Sequence, residues 1–148
     1  MKCMMGLAFI AMGVSMSTGT GAQQSTTISA SGLEAWLAGY ESAWEERDAD
    51  AAAALFTDDA LYYEDPYSEP FEGPAGIREY WANVTADQRD VDFESSIVGI
   101  AGSTGVARWS ARFTLASNGA AVELNGIFLL DFDTDGKCRQ LREWWHAR

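Results

Sequence analysis

The first third of the chain carries apolar residues at helical spacing. From residue 33 they recur every three or four positions, as expected for one buried face of a helix; the set is Leu33, Trp36, Leu37, Tyr40 and Trp44. Ser31 and Glu34 form a capping-box pattern, which predicts where this helix begins. The alanines within residues 51–56 predict a second helix that permits close packing. Two helices therefore open the predicted fold.

A predicted strand and a third helix follow this pair of helices. Residues 61–65 are a short aromatic run, which predicts a strand, and Pro66 directly after them restricts the chain to a turn or loop. Gly73 then opens a third helix with proline in its first turn, where proline is well tolerated. The apolar side of this helix is formed by Ile77, Tyr80, Trp81 and Val84. The strand thus delivers Glu64 and Asp65 into a turn between aromatic helices.

The second half of the chain has the pattern of an antiparallel sheet. Glycine-bearing turns separate four extended runs, at residues 91–100, 106–115, 121–132 and 138–146. Asn118-Gly119 and Asp135-Gly136 are strong signals for hairpin turns. Three helices followed by such a sheet predict an α+β domain in which a curved, mostly antiparallel sheet wraps around the helices. The result is a cone with one open end.

Strand alternation sorts the sheet residues into two faces. The apolar set predicted to face the helices is Trp109, Ala111, Phe113, Leu115, Val122, Leu124, Phe128, Leu130 and Phe132. Arg108 and Arg112 stand opposite Glu123 on the other face, which suits water or a second subunit. The last strand alternates between two sets, and periodicity leaves open which one faces inward: Leu141, Glu143 and Trp145, or Arg142, Trp144 and His146.

The length of the chain suits one domain behind a leader. Of its 148 residues, 47% are apolar, enough for a single core. Residues 1–22 have the features of an export signal, since Lys2 is their one charge and an apolar run leads to small residues at the cleavage site. We predict a signal peptide at 1–22, a flexible linker at 23–31 and one domain at 32–148. The mature protein would then be periplasmic or extracellular, with no membrane association.

Charge and cysteine content narrow the classes of function. The chain has 22 acidic and 10 basic residues, a net charge of −12, and loss of Lys2 with the signal makes it −13. Such a negative field repels nucleic acid and anionic lipid. Cys138 would be the one cysteine left after cleavage, and the chain has a single histidine. The sequence therefore predicts no disulfide within the chain, no metal site and no cofactor.

Four motifs fall in a fixed order between Tyr40 and Trp81: LFTDDA, Glu64-Asp65-Pro66, Ser68-Glu69-Pro70 and the helix start GPAGIRE. This segment resembles the front half of ketosteroid isomerase, a member of the nuclear transport factor 2-like superfamily. The back half, with its DFDTDG and REWWH motifs, is more similar to the SnoaL-like group of that superfamily. The resemblance implies a cone-shaped fold that binds a small hydrophobic molecule.

The resemblance also implies roles for particular residues. Asp65 coincides with the general base of the isomerase, and Tyr40 with the tyrosine that donates a hydrogen bond to the substrate oxygen. Phe128 falls where the isomerase has a protonated aspartic acid as the second donor, so half of that oxyanion hole is missing here. The implied substrate-binding set is Phe56, Tyr63, Trp81, Trp109, Phe128, Leu141 and Trp145.

Each catalytic candidate also has a plainer interpretation. Asp65 is either a base whose pKa burial among aromatic rings would raise, or a turn residue that caps backbone amides before Pro66. Tyr40 is either a donor to the substrate or a core tyrosine of the first helix. Glu143 is either a second acid in the pocket, which could replace the lost donor, or the partner of an arginine at the sheet edge.

Three functions fit these patterns. An enzyme would transfer a proton or close a ring beside a carbonyl without a cofactor, with Asp65 as base, Tyr40 polarising the oxygen and Glu143 as acid. A binding module would carry a small hydrophobic ligand in the same pocket, and Phe128 in place of a donor favours it. An interaction domain would form a homodimer through the outer sheet face, where Trp144 would lie.

Overall fold

The computed structural model describes residues 27–148, which form three helices and a six-stranded sheet. The elements are α1 (Ala30–Glu45), α2 (Ala49–Ala54), β1 (Phe56–Tyr63), β2 (Phe71–Glu72), α3 (Gly73–Thr85), β3 (Gln88–Ala101), β4 (Thr104–Leu115), β5 (Ala121–Phe132) and β6 (Cys138–Ala147). The predicted α+β cone is confirmed. Over these residues no helix is long and apolar enough to cross a membrane. The predicted signal peptide at 1–22 lies outside the described residues, so it and the predicted export stay predictions.

The packed domain begins before the predicted boundary. Ser29 caps α1 by accepting a hydrogen bond from the Gly32 amide at 3.0 Å, so the helix starts at Ala30. Ile28 is buried in the core, and its amide donates to a backbone carbonyl of the β3–β4 turn. The last residues of the predicted linker at 23–31 therefore belong to the domain, because an apolar anchor and a helix cap hold them there.

The second helix is shorter, and the first strand longer, than the pattern predicted. α2 ends at Ala54, and β1 begins at Phe56. Alternate side chains of β1 face the helices, and Phe56, Ala60 and Tyr62 are buried among them. Phe56 thus enters the core from a strand position, because two-residue alternation rather than helical spacing brings it against α1.

The sheet has the order β2-β1-β6-β5-β4-β3. Strands β3 to β6 form the predicted antiparallel meander, whereas β1 lies parallel to β6. In this pairing Tyr62 lies beside Leu141 and Tyr63 beside Arg142. The segment that follows β1 is therefore held next to the middle of β6, although the two are far apart along the chain.

The inward face of the sheet is the predicted one. Trp109, Ala111, Phe113, Phe128, Leu130 and Phe132 are buried against the helices. On β6 the inward set is Leu141, Glu143 and Trp145, with exposed fractions of 0%, 5% and 38%. Exposure rises along β6, so the open end of the cone lies beside Trp145.

The outer face carries the predicted polar set. Arg112 Nε donates to Glu123 at 3.2 Å, and Arg108 Nε donates to the Ser96 hydroxyl at 2.7 Å. Trp144 is 45% exposed on this face. Pairing with a second copy of the chain through this face stays a prediction.

Candidate active site

A largely apolar cavity of about 270 Å³ lies between the helices and the sheet, toward the open end of the cone. Apart from indole N–H groups, its polar side chains are Tyr40, Tyr62, Glu64, Tyr80, Gln88 and Glu143. The volume falls just below the range of about 300–1,000 Å³ typical of ligand pockets. A molecule with one or two rings therefore suits this cavity better than a four-ring steroid.

Glu143 is a buried carboxyl group in the wall of the cavity. Its Oε1 accepts a hydrogen bond from the Tyr62 hydroxyl at 2.9 Å, and that hydroxyl lies 3.0 Å from the hydroxyl of Tyr40. A hydroxyl has one proton to donate. Because Tyr62 gives its proton to Glu143, Tyr40 donates to Tyr62. The two tyrosines thus form a chain of donors that ends on the carboxyl group.

Burial raises the pKa of Glu143 to about 8, since removal from water disfavours the charged form of a carboxyl group. The hydrogen bond from Tyr62 lowers this pKa, and the negative charge of Glu64 raises it further. At neutral pH the group is therefore mainly protonated and can donate a proton. The arginine partner considered for Glu143 is not found, because the ion pairs of residues 27–148 join arginines to other acids.

Glu64 is a second carboxyl group of the same cavity, directly after β1. Partial burial and then the charge of Asp65 raise its pKa, while a hydrogen bond with Tyr80 lowers it. The ring of Tyr80 also packs against that of Tyr62, with 5.0 Å between the ring centres. The charge on Glu64 is one cause of the high pKa of Glu143, so Glu64 ionises first as the pH rises. The cavity therefore holds two coupled acids, of which Glu64 loses its proton at the lower pH.

Asp65 does not line this cavity, and the expected burial of its side chain among aromatic rings is not found; its role as a base stays a prediction. Its Oδ1 accepts hydrogen bonds from the amides of Tyr67 at 2.7 Å and Ser68 at 3.0 Å, and the Ser68 hydroxyl donates to Oδ2. These bonds, the Ser68 hydroxyl first, hold the pKa of Asp65 below its usual range. The side chain lines a second recess, whose wall also includes Arg142 and Glu143. It is a turn-capping aspartate.

The other predicted site residues divide into three groups. Tyr40, Trp81, Trp109, Glu143 and Trp145 line the cavity together. Phe56, Phe128 and Leu141 are buried in the core and do not line it. Tyr63 does not line this cavity; it lies on the outer side, where the guanidinium of Arg142 is 5.1 Å from its ring centre, and its contact with substrate stays a prediction.

Four polar side chains of the cavity were not predicted as site residues: Tyr62, Glu64, Tyr80 and Gln88. Tyr62 and Glu64 lie on the same side of β1 as Phe56, and alternation counted from Phe56 finds both. Tyr80 belongs to the predicted apolar side of α3, but its hydroxyl group interacts with Glu64. Within residues 27–148, no group of three or more histidine, cysteine, aspartate or glutamate side chains is placed to hold a metal ion.

Comparison with known proteins gives a family and a fold. A family model described as the SnoaL-like domain matches residues 34–141. The solved structure of SalBIII, an epoxide hydrolase/cyclase-like enzyme with a role in pyran ring formation in the polyether salinomycin, is 25% identical, with a TM-score of 0.66. That match covers 76% of this chain and 89% of SalBIII. No curated protein sequence matches the chain.

Two more distant structures support the fold alone. A candidate isomerase from Bacillus subtilis is 19% identical with a TM-score of 0.70, and the match covers 78% of this chain and 87% of that one. A protein of ketosteroid isomerase-like fold from Catenulispora acidiphila, in complex with trimethylamine, is 14% identical with a TM-score of 0.65. That match covers 74% of this chain and 83% of the other.

Proposed function

This chain belongs to the SnoaL-like domain family, and we propose that it is an acid–base enzyme of the isomerase or cyclase type. Its substrate is a small, largely apolar molecule that bears oxygen. The observation that carries the proposal is the buried Glu143, which accepts from the Tyr40–Tyr62 donor chain in a cavity that also contains Glu64. Two acids whose surroundings separate their pKa values can act as proton donor and proton acceptor in one reaction.

Glu143 is the proposed acid. It gives its proton to a substrate oxygen while the C–O bond of an epoxide breaks, or while a carbonyl becomes an enol. Tyr62 then donates to a full carboxylate, and Tyr40 donates to Tyr62. Hydrogen bonds to an ionised acceptor are stronger than those between neutral groups, so the donor chain stabilises the charge that the reaction creates. This arrangement supplies the donor that Phe128 cannot.

Glu64 is the proposed base. In a ring closure, the carboxylate removes the proton of a substrate hydroxyl as its oxygen attacks the epoxide carbon. In an isomerisation, it removes a proton from the carbon beside a carbonyl and returns it to the γ carbon, while the enol gives its proton back to Glu143. One proton arrives at Glu64 and one leaves Glu143, so the substrate keeps its composition. After a ring closure, proton exchange with solvent returns both acids to their starting states, because Glu64 is only partly buried.

Ring closure is the favoured reaction of the two. SalBIII is a structural neighbour at 25% identity, and its description joins epoxide chemistry to pyran ring formation. The size of the cavity agrees with this choice, because one or two rings suit its volume of about 270 Å³.

Two substrates test the proposal: an aryl-substituted 4,5-epoxy alcohol, which closes to a cyclic ether, and cyclohex-3-enone, which isomerises to the conjugated ketone. The protein should accelerate the first reaction. Its rate should rise as Glu64 ionises and fall above pH about 8 as Glu143 loses its proton. Glu64→Gln should retain binding of the cyclic ether and lose rate by about 10²-fold or more.

A non-catalytic binding module is the competing function, and the largely apolar lining of the cavity favours it. Tight binding of the cyclic ether by wild type, with no acceleration of either substrate, would overturn the enzyme proposal in favour of this module. Acceleration of cyclohex-3-enone alone would retain the acid–base enzyme and replace ring closure with isomerisation.

A further inference from the structure

Gln88 is a buried polar side chain of the cavity that the proposed reaction does not use. It is the first residue of β3, is 5% exposed and lines the cavity. Its side-chain oxygen, Oε1, accepts a hydrogen bond from the indole N–H of Trp44 at 2.8 Å. The same amide also carries two N–H donors on Nε2, and buried donors nearly always have a partner in folded proteins.

The contact with Trp44 fixes the orientation of this amide. An indole N–H can only donate, so it selects the oxygen of Gln88 and leaves the NH₂ group directed away from Trp44. The backbone of Gln88 is held as well, because its carbonyl accepts from Arg47 Nη1 at 3.0 Å and the residue pairs with Leu115 of β4. The amide therefore presents a donor, and not an acceptor, on its free side.

The nitrogen of the amide is both unpaired and accessible. Among residues 27–148, the fully buried side-chain nitrogens and oxygens without a partner are the indole nitrogens of Trp81 and Trp109. Gln88 Nε2 makes no hydrogen bond to these residues either, but it is not one of the fully buried atoms, so it keeps accessible surface. Trp44 and Leu115, which hold Gln88 from the helix side and the strand side, line the same cavity. The accessible side of the amide is therefore the side of the cavity.

The ring of Trp44 separates this amide from the donor chain that ends on Glu143. Trp44 packs edge to face with Tyr40, with 6.2 Å between the ring centres, and Tyr40 begins that chain. A compact ligand that meets Glu143 can therefore also reach Gln88. Close to Gln88 the sheet contributes apolar side chains to the cavity, among them Phe113, Leu115 and Val122.

We infer that Gln88 determines specificity in this cavity, by donating from its NH₂ group to a second oxygen of the ligand, a carbonyl or an ether. Trp44 is its positioning residue. This inference rests on the proposed function, because it names the substrate class of the same cavity: a compact apolar molecule with one oxygen at Glu143 and another at Gln88. A site built to hydrogen-bond an oxygen rejects analogues that lack it, because its donor then stays unpaired.

Two probes test the inference by binding alone. They are 6-acetyl-1-tetralone and 6-isopropenyl-1-tetralone, which share the ring carbonyl and the overall shape and differ in the second oxygen. Wild type should bind the acetyl compound about tenfold more tightly in calorimetric titrations. Gln88→Met keeps the length of the side chain and removes the donors, so it should reduce this preference by about three- to tenfold.

Trp44→Phe tests the positioning role. This variant keeps an aromatic ring and Gln88 itself but frees Oε1, so either end of the amide can face the cavity and the preference should fall by about threefold. A purely structural role of Trp44 would weaken the binding of both probes equally. Gln140→Met is the matched control, because it makes the same substitution in β6 at a residue that does not line the cavity, and it should keep the wild-type preference.

Nitrogen–proton correlation spectra observe the donor directly. The side-chain NH₂ signals of Gln88, identified by their loss in Gln88→Met, should shift more with the acetyl compound than with the isopropenyl compound. This difference should shrink in Trp44→Phe. The wild-type spectra decide the question even where a variant fails to fold, since equal shifts with the two probes would overturn the inference.

The outcomes separate this inference from the proposed function. Equal affinity of wild type for the two probes, or a preference that persists in Gln88→Met, would overturn the inference and leave the acid–base enzyme in place. Loss of the preference in Gln140→Met as well would also overturn it. Failure of wild type to bind either probe would count against the proposed function, and the inference would fail with it.

Discussion

The two faces of the β1–β6 pair carry the same residue types in opposite surroundings. On the inner face, Tyr62 donates to the buried Glu143, and burial raises the pKa of that acid to about 8. On the outer face, Tyr63 lies under the guanidinium of Arg142, and hydrogen bonds in a turn lower the pKa of Asp65. The face of the strand on which an acid lies, more than its residue type, therefore decides whether its pKa is raised or lowered.

Replacing one acid on each face should give the largest contrast. Glu143→Gln removes the proton donor, and kcat for the accelerated substrate should fall by about 10²- to 10⁴-fold. Asp65→Asn keeps an oxygen that can cap the turn, and kcat should change by less than about threefold. Steady-state kinetics at pH 7 measure both. A larger loss for Asp65→Asn would reverse the assignment of the two acids.

The two acids also predict opposite dependences of stability on pH. The folded state holds the Glu143 proton up to pH about 8, whereas the usual pKa of the group is 4.5. The free energy of unfolding should therefore fall as the pH rises between these values, by about 2–5 kcal/mol. The lowered pKa of Asp65 acts in the other direction, because its contribution is present above the usual value of 3.8 and is lost as the pH falls through the folded pKa.

Urea unfolding of wild type and Glu143→Gln at pH 5 and pH 9 measures how much Glu143 contributes to the pH dependence of the free energy of unfolding. Glutamine stays neutral at both values, so the variant should match wild type at pH 5 and exceed its stability at pH 9. Taking the difference between the two proteins removes the contribution of every titrating group that does not interact with Glu143. A difference that does not change with pH would show that Glu143 is ionised in the folded protein at neutral pH.

Sequence predicted the β4–β6 meander well and the start of β1 poorly. Alternation and turn glycines are local signals, and Gly119 and Gly136 do adopt the positive φ values, 74° and 79°, that hairpin turns favour. The segment around Phe56 fits either a helix end or a strand start. Its strand state depends on parallel pairing with β6, a contact between distant parts of the chain that local spacing does not encode.

The candidate site was predicted in part for a related reason. Tyr40 and Glu143 were named from the sequence, but Tyr62, which joins them, depends on the register of β1. Glu64 and Asp65 are neighbours in the sequence and serve opposite faces. A shift of one residue exchanges the faces of a strand, so the alignment that placed Asp65 at the base position selected the outward residue of the pair.

Two glycine substitutions in the sheet, one in a tightly packed position and one in open space, should differ in their effect on stability. Gly126→Ala would put a methyl group 2.6 Å from the Trp109 ring and 2.7 Å from the carbonyl oxygen of Trp144. Neither the backbone carbonyl nor the packed indole ring can move away easily. The free energy of unfolding should therefore fall by about 1–3 kcal/mol. Gly99→Ala in β3 meets nothing within 4 Å and should stay within about 0.5 kcal/mol of wild type. Equal losses in urea unfolding would mean that the tight contact at Gly126 does not exist.

The smallest effect should come from the paired tyrosines. Tyr62→Phe removes one donor to Glu143, and kcat should fall by about tenfold. Because that hydrogen bond lowers the pKa of Glu143, its loss should move the alkaline limb of the pH–rate profile to higher pH. Tyr63→Phe keeps the ring beneath Arg142 and should leave both kcat and the profile unchanged.

The direction of the shift in the pH–rate profile is the informative measurement. A structural disturbance of the cavity would lower the rate by a similar factor at every pH. Loss of a donor to Glu143 instead makes the acid weaker, so the variant would retain its protonated form, and its activity, at pH values where wild type has begun to lose them. An alkaline limb that stays in place in Tyr62→Phe would mean that this hydroxyl does not donate to Glu143, and a limb displaced to lower pH would mean that Tyr62 raises the pKa of its partner.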